Sequence, residues 1–263
     1  MGTAILAGLL KAGFDASNVS VSTKSVASAD ALAQTYGVTA HPAEANQKAN
    51  SNAVIGADVV LVAVKPMYVP EVLREVSASL LPNALVISVA AGVTTATMEA
   101  AVPESVAVVR SMPNTPAIVG RALTGVAAGS RVSEAQLRQA VSLFETVGKV
   151  VVLGEDQIDE LGTISGSGPA YVFLLMEKLA VAAEAMGFDS DTAATLVSET
   201  FLGAAQLLVA SGKSPAELRR QVTSPNGTTE RAIAVYQEAK LDKMFIAGTQ
   251  AALARSKELA AGK

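Results

Sequence analysis

Short valine-rich runs alternate with alanine-rich helical patterns through the first half of the chain. The run at 59–64 is apolar without interruption, which is typical of a strand covered on both faces. Strands are predicted at 19–22, 59–64, 84–90, 106–112 and 150–153, and helices at 3–12, 28–36, 69–80 and 133–147. This alternation predicts an α/β fold with a mostly parallel, doubly wound sheet. The polar stretch at 41–53 is expected to be a long loop.

Beyond Gly154 only helical patterns remain. Helices are predicted at 156–164, 169–186, 191–210, 215–222, 229–239 and 242–259. We therefore predict an α/β domain over 1–154 and an all-helical domain over 155–263. The helix from Pro169 is apolar around its circumference and must be buried. Because a helical domain of this size has little interior, we predict a subunit interface there, with an ordinary core helix as the alternative.

The composition narrows the class of protein. Half of the 263 residues are hydrophobic and 17% are charged, which excludes a disordered chain. A net charge of −4 gives no basic footprint for nucleic acid. The chain contains no cysteine, which excludes thiolate chemistry and is compatible with the cytoplasm, and His41 is the only histidine available to a catalytic triad. We predict no metal site, no membrane span and no signal peptide.

A dinucleotide site in an α/β domain needs a glycine-rich turn before the first helix. Gly2 could be the last glycine of such a turn, next to Met1, but any helix can follow a glycine. The next subsite lies at the end of the second strand, where the segment Ser22-Thr23-Lys24-Ser25 offers no acid for a ribose 2′-hydroxyl. A lysine flanked by hydroxyls suits a 2′-phosphate, so NADPH is favoured over NADH, although NADH stays possible. The alternative is a solvated loop lysine.

Two further strand ends carry polar groups. Lys65 and Pro66 end the strand at 59–64, where ligands collect in open α/β sheets, although Lys65 could also be a plain surface charge. The segment Arg110 to Pro116 ends the strand predicted at 106–112, and its two prolines fix a rigid loop. Asn114 offers the donor and the acceptor that a carboxamide partner requires.

The helical half contains Thr223-Ser224-Pro225-Asn226-Gly227-Thr228-Thr229. Its proline, asparagine and glycine predict a turn, and a helix is expected to open at Thr229 or just before it. Consecutive main-chain N–H groups at such an end form an anion site that the helix dipole favours for a carboxylate. A plain helix cap is the alternative.

These segments jointly resemble the pyrroline-5-carboxylate reductase family, in the family's order and spacing. The resemblance rests on five segments: Ala63 to Pro66, Ser88 to Gly92, Arg110 to Pro116, Ser165 to Tyr171, and Leu218 to Thr229. It implies a Rossmann domain, a helical domain that dimerises, assembly of dimers into larger rings, and reduction of Δ1-pyrroline-5-carboxylate to L-proline by NADPH or NADH, the final step of proline biosynthesis.

The resemblance also implies residue roles. Ser224, Gly227, Thr228 and Thr229 would hold the substrate carboxylate, and Thr229 would act catalytically by reaching the ring nitrogen. Cofactor-binding residues are expected at the first helix, the strand ends and one asparagine: Met1, Gly2, Ser22, Thr23, Lys24, Ser25, Asn50, Ala63, Val64, Lys65, Pro66, Val89, Ala90, Ala91, Met112, Pro113 and Asn114.

Two features depart from the family pattern. Asn226 stands where the family has glycine, but asparagine tolerates positive φ, so the turn is expected to survive. The strand and first glycines before Gly2 are absent, which would leave two unpaired inner edges in the sheet. We therefore expect one more strand and turn, on the order of ten residues, upstream of Met1.

Three other functions account for only part of the sequence. A β-hydroxyacid dehydrogenase has a similar plan, but it needs a helical lysine after the glycine-rich turn, and none follows Ser165 to Gly168 until Lys178. A non-catalytic dinucleotide-binding protein need not keep Thr228, Thr229 and the segment Met112 to Asn114. A helical scaffold would leave Lys65 and Asn114 at the strand ends unexplained.

Overall fold

The computed structural model describes the backbone of residues 1–260 and the side chains of residues 1–258; the last residues of the predicted helical domain, 261–263, lie outside it. The chain forms two compact units. The first comprises Met1–Ser167 and the segment from Ala252 onward, and the second comprises Gly168–Ala251.

The first unit contains seven strands and seven of the helices. In chain order these are α1 (Gly2–Lys11), β1 (Ser20–Thr23), α2 (Val26–Tyr36), β2 (Thr39–Pro42), α3 (Ala49–Val54), β3 (Val59–Val62), α4 (Val69–Val76), β4 (Leu85–Ser88), α5 (Thr95–Glu99), β5 (Ala107–Met112), β6 (Ala122–Ala128), α6 (Glu134–Glu145), β7 (Gly148–Val152) and α7 (Ile158–Leu161). Short 3-10 turns precede several of them, and a π-turn at Gly162–Gly166 follows α7.

The strands form two sheets. β1 pairs with β2 in parallel, with Ser20 opposite Thr39. The larger sheet has the order β3-β4-β5-β6-β7. Its first three strands are parallel, β6 runs antiparallel to β5, and β7 is parallel to β6. Among residues 1–260, β1 and β3 each pair with one strand only.

Two apolar layers cover the larger sheet, as the doubly wound prediction required. On one face, Leu73 of α4 and Met98 of α5 pack against β3, β4 and β5. On the other, Ile5 of α1 and Phe144 of α6 pack against the same strands and β6. All four side chains are fully buried, so each helix is fixed by its apolar face and not by local propensity alone.

The polar stretch at 41–53 is not the predicted loop. It contains the end of β2 and the helix α3, whose Ala49 and Val54 are buried. The prediction was wrong because β2 is only four residues long and includes His41 and Pro42, so it carries no apolar run.

The second unit is helical. It contains α8 (Gly168–Ala185), α9 (Ser190–Ser211), α10 (Pro215–Gln221), α11 (Thr228–Glu238) and the first part of α12 (Leu241–Ala260). The start predicted at 215 is confirmed: Ser214 and Glu217 form a capping box, and Pro215 lies in the first turn.

The segment 155–167 belongs to the compact unit that holds the sheets, although sequence patterns assign it to the helical domain. Ile158 of α7 is fully buried, and Asp159 is ion-paired to Arg110 of β5 at 2.6 Å. Side-chain contacts with the sheet therefore decide to which unit this segment belongs.

Candidate active site

The carboxyl ends of β3, β4 and β5 lie side by side because these strands are parallel neighbours. The predicted cofactor residues Ala63 to Pro66, Val89 to Ala91, and Met112 to Asn114 follow those ends, so the structure brings them to one edge of the sheet. Lys65 is exposed there, and it takes part in no ion pair within residues 1–258.

Two buried serines fix this edge. The hydroxyl of Ser111 donates to the main-chain oxygen of Ser88 at 2.7 Å, and the N–H of Ala90 donates to the Ser88 hydroxyl at 3.2 Å. Both serines are almost fully buried. The loop Val89 to Ala91 is therefore held in place by hydrogen bonds at the ends of β4 and β5.

The start of α1 lies close to the end of β3. A Cβ placed on Gly2 would lie 3.1 Å from the Cβ of Ala63, so a larger residue at position 2 would crowd this corner. The N-cap residue Met1 supplies no side-chain hydrogen bond to the helix start. An uncapped helix N-terminus with a close glycine is suited to a pyrophosphate, so these residues fit a dinucleotide.

Asn114 is engaged within the protein. Its Nδ2 donates to the main-chain oxygen of Ser165 at 3.0 Å, and its Oδ1 accepts from the N–H of Leu123 at 2.9 Å. The side chain ties the end of β5 to the start of β6 and to the π-turn. One N–H and one lone pair of the carboxamide remain beyond these two bonds, so its role toward a cofactor stays a prediction.

A cavity of about 110 Å³ lies beside this edge within the first unit. Ala91 and Met112, both predicted cofactor residues, line it together with Asp159, Gly162 and Ser256. A Cβ on Gly162 would meet the Met112 Cε at 3.3 Å. The small residues of the π-turn thus leave room for the Met112 side chain.

Arg110 is the most deeply buried charge near this cavity, with 2% of its surface exposed. Its guanidinium contacts Asp159 at 2.6 Å and Glu155 at 3.7 Å. Glu155 also accepts from the N–H and the hydroxyl of Thr95, each at 2.6 Å. Sequence patterns singled out Arg110 only as part of a motif. The available signal for this ion pair was the pair of acids at 155 and 159, four residues apart on one face of a turn.

The residues predicted around the adenosine also come together. The Ser22 hydroxyl donates to the Asn50 Oδ1 at 2.7 Å, and the Asn50 Nδ2 donates to Glu75 at 2.8 Å. Lys24 is exposed and forms no ion pair among the described side chains. Sequence patterns missed one neighbour, Glu44, whose carboxylate accepts from the N–H of Val26 at 3.2 Å.

In the second unit, α11 begins at Thr228, as predicted to within one residue. Asn226 has φ +59, so the turn survives without glycine there. A Cβ on Gly227 would lie 2.7 Å from the Ser224 hydroxyl, which explains a glycine at 227. No side chain caps this helix, and within residues 1–260 the N–H groups of Thr228 and Thr229 have no hydrogen-bond acceptor.

Comparison with known proteins places this geometry in a family. Residues 155–259 match the family model described as pyrroline-5-carboxylate reductase dimerisation, and residues 1–92 match the one described as NADP oxidoreductase, coenzyme F420-dependent. Pyrroline-5-carboxylate reductase of Pseudomonas aeruginosa is 44% identical over 81% of this chain and 78% of that protein. The chain belongs to the pyrroline-5-carboxylate reductase family.

Two further comparisons extend the similarity to the whole chain. Pyrroline-5-carboxylate reductase of Corynebacterium melassecola is 38% identical over 98% of this chain and 95% of that protein. The structure of a pyrroline-5-carboxylate reductase from Coxiella burnetii superimposes with a TM-score of 0.91 at 39% identity, covering 98% of this chain and 94% of that one. The Rossmann-type fold with a helical dimerisation domain is thereby confirmed.

Helix α8 presents an apolar surface within the single chain. No residue of α8 is buried within the chain, and Phe173 and Val181 are each 60% exposed. The dimerisation family model spans this helix and confirms that the helical region belongs to a dimerising family, while the contact made by α8 itself stays a prediction. Helix α9 is long and apolar enough to cross a membrane, and it lies within the same region matched by the dimerisation model.

Proposed function

We propose that this chain reduces Δ1-pyrroline-5-carboxylate to L-proline by hydride transfer from NAD(P)H, the final step of proline biosynthesis. The observation that carries the proposal is the 44% identity to the Pseudomonas aeruginosa enzyme, together with the match of the first residues to an NADP oxidoreductase family. A solved Plasmodium falciparum pyrroline carboxylate reductase, with NADP bound, has the same fold.

The first unit would hold the dinucleotide. The uncapped start of α1 at Met1 and Gly2 would take the pyrophosphate, and Ser22 to Ser25 with Asn50 would take the adenosine ribose. The rest of the dinucleotide would be lined by the three strand-end loops, Ala63 to Pro66, Val89 to Ala91, and Met112 to Asn114. When bound, the cofactor supplies the hydride; the strand-end loops fix its orientation, since positioning is worth up to roughly 7–11 kcal/mol in favourable cases.

The second unit would bind the substrate carboxylate at the start of α11. The N–H groups of Thr228 and Thr229 have no acceptor among the described residues, and Ser224 and Gly227 shape the turn before them. They support this role because a helix N-terminus favours an anion. The Thr229 hydroxyl would donate a hydrogen bond to the ring nitrogen and orient the ring. A hydroxyl is a weak acid, so the proton would come from solvent or from an imine that is already protonated.

The domain bounds, the assembly and the location complete the proposal. The proposed domains are 1–154 and 155–263, with the segment 155–167 packed in the compact unit that holds the sheets. Homodimers would assemble into a larger homo-oligomer. The cytoplasm is the proposed location, with which the cysteine-free sequence is compatible.

The test is the oxidation of NADPH, and separately of NADH, by the purified chain with Δ1-pyrroline-5-carboxylate, with L-proline identified by chromatography. We expect substrate-dependent oxidation and one L-proline for each NAD(P)H consumed. A protein that binds NADPH, as followed by nucleotide fluorescence, but forms no proline would overturn the proposed reaction.

A further inference from the structure

Glu44 follows β2 in the sequence, but it lies beside the loop that follows β1. Because β1 and β2 are parallel, with Thr23 opposite Pro42, the segments after both strands leave the sheet at the same edge. The N–H of Ala43 donates to the oxygen of Thr23 at 2.8 Å, and that of Glu44 donates to the oxygen of Lys24 at 3.0 Å. Glu44 is thus fastened beside Lys24.

The Glu44 carboxylate points at the start of α2. Its Oε2 accepts from the N–H of Val26, the first residue of the helix, at 3.2 Å. The N–H of Ser28 is taken by the Ser25 hydroxyl at 3.3 Å. Side chains of the protein itself therefore already occupy two of the N–H groups that a phosphate would use at this helix end.

We propose that Glu44 is a specificity-determining residue that lowers the affinity of this chain for the 2′-phosphate of NADP(H) relative to the 2′-hydroxyl of NAD(H). The proposal rests on the cofactor site proposed above, in which the ribose lies at the end of β1. It assigns to this loop two opposed charges, Lys24 attracting the phosphate and Glu44 repelling it.

The chemistry of the two cofactors decides which of them the Glu44 carboxylate disfavours. A 2′-phosphate carries about −1.5 to −2 charges at pH 7 and would have to displace a carboxylate from the helix start, or lie next to it. A 2′-hydroxyl can instead donate a hydrogen bond to that carboxylate. Removal of the Glu44 charge should therefore strengthen phosphate binding alone, by roughly three- to tenfold at low ionic strength.

The experiment compares Glu44→Gln with the parent chain. The glutamine oxygen can still accept from Val26, so the helix start keeps its cap while the charge is lost. Glu145→Gln, which removes an exposed acid in the last turn of α6, is the control for net charge. Dissociation constants are measured by calorimetry for adenosine 2′,5′-bisphosphate and for adenosine 5′-monophosphate, at low and at high salt.

We expect Glu44→Gln to tighten the bisphosphate three- to tenfold, to leave the monophosphate within twofold, and to lose this gain at high salt; Glu145→Gln should change neither ligand. Equal changes for both ligands, or no change, would overturn the role of Glu44. Because these are binding constants of nucleotide fragments, they are independent of turnover with Δ1-pyrroline-5-carboxylate. A chain that fails the reduction assay can still pass this test, and the reverse also holds.

Discussion

The main-chain N–H of Asn226 donates to the Glu230 carboxylate at 2.9 Å, across the first turn of α11. This contact closes the turn in which Asn226 adopts φ +59, a conformation that costs a non-glycine residue roughly 1–2 kcal/mol. It also leaves a negative charge beside the N–H groups that we assign to the substrate carboxylate.

Glu230→Gln should therefore lower the KM for Δ1-pyrroline-5-carboxylate by roughly two- to fivefold, because it removes the negative charge that repels the substrate carboxylate. The glutamine oxygen can still accept a hydrogen bond from the N–H of Asn226. Glu230→Ala loses the acceptor as well, so its KM should lie above that of the glutamine variant. Initial rates at saturating NADPH measure both, with Glu238→Gln at the other end of α11 as the control. Identical KM values for the glutamine and alanine variants would contradict this account of the turn.

Thr229→Ala should reduce kcat by roughly tenfold to a hundredfold, since one hydrogen bond to a reacting group contributes about 1.5–3 kcal/mol. Thr229→Ser should recover most of the rate because the hydroxyl returns. Steady-state kinetics give kcat, and nucleotide fluorescence gives the NADPH dissociation constant, which should barely move. A large loss of NADPH affinity would remove Thr229 from the proposed substrate role.

The exposed face of α8 should be the dimer contact. Phe173→Glu would place a charge in an apolar interface, so we expect the dimer to dissociate at micromolar protein concentration. Light scattering after gel filtration measures the mass. Ile55→Glu makes the same type of change at an exposed residue of the first unit, 67% exposed, and should leave the mass unchanged. An intact dimer in the Phe173 variant would argue for another interface.

The cap of α9 should make stability depend on pH. The N–H and then the hydroxyl of Thr192 donate to Asp189 and hold the pKa of its carboxyl below its ordinary value of 3.8. The unfolded chain thus binds the proton more readily, so this contribution is fully present above pH 3.8 and is lost as the pH falls through the lower folded pKa.

Asp189→Asn still caps α9 but does not titrate. The difference in melting temperature between the parent chain and Asp189→Asn should be constant from pH 7 to about pH 5 and then change in favour of the variant as the pH falls further. Thermal unfolding at fixed protein concentration measures it. A difference that stays constant down to pH 3 would mean that Asp189 does not carry this dependence.

Much of the fold was predictable because it depends on neighbours in sequence. Ser214 and Glu217 are three residues apart, and their capping box places the start of α10 without any knowledge of the tertiary structure. The valine run at 59–64 predicts a buried strand for the same reason. By contrast, β6 was not predicted: its alanine, glycine and threonine residues give no apolar run, and its antiparallel pairing with β5 depends on contact with Val109 to Met112.

Part of the candidate site was likewise predictable from the sequence, and part was not. The glycine-containing turn before α11 and the residues after β3, β4 and β5 follow from local turn chemistry and from the rule that parallel strands end at one edge. The engagement of Asn114 by Ser165 and Leu123 could not be read from the chain, because a carboxamide has the same hydrogen-bonding capacity whether it binds a ligand or a loop.

The sequence by itself determined the α/β half followed by the helical half, several helix caps and the family, because these rest on residue types within a few positions of one another. Only the tertiary structure decided that Glu44 lies at the start of α2, 18 residues from Val26, and that Asp159 pairs with Arg110, 49 residues away. The physical reason is that charge acts over a few ångströms of space, and packing of strands and helices, not spacing along the chain, sets which charges come within that range.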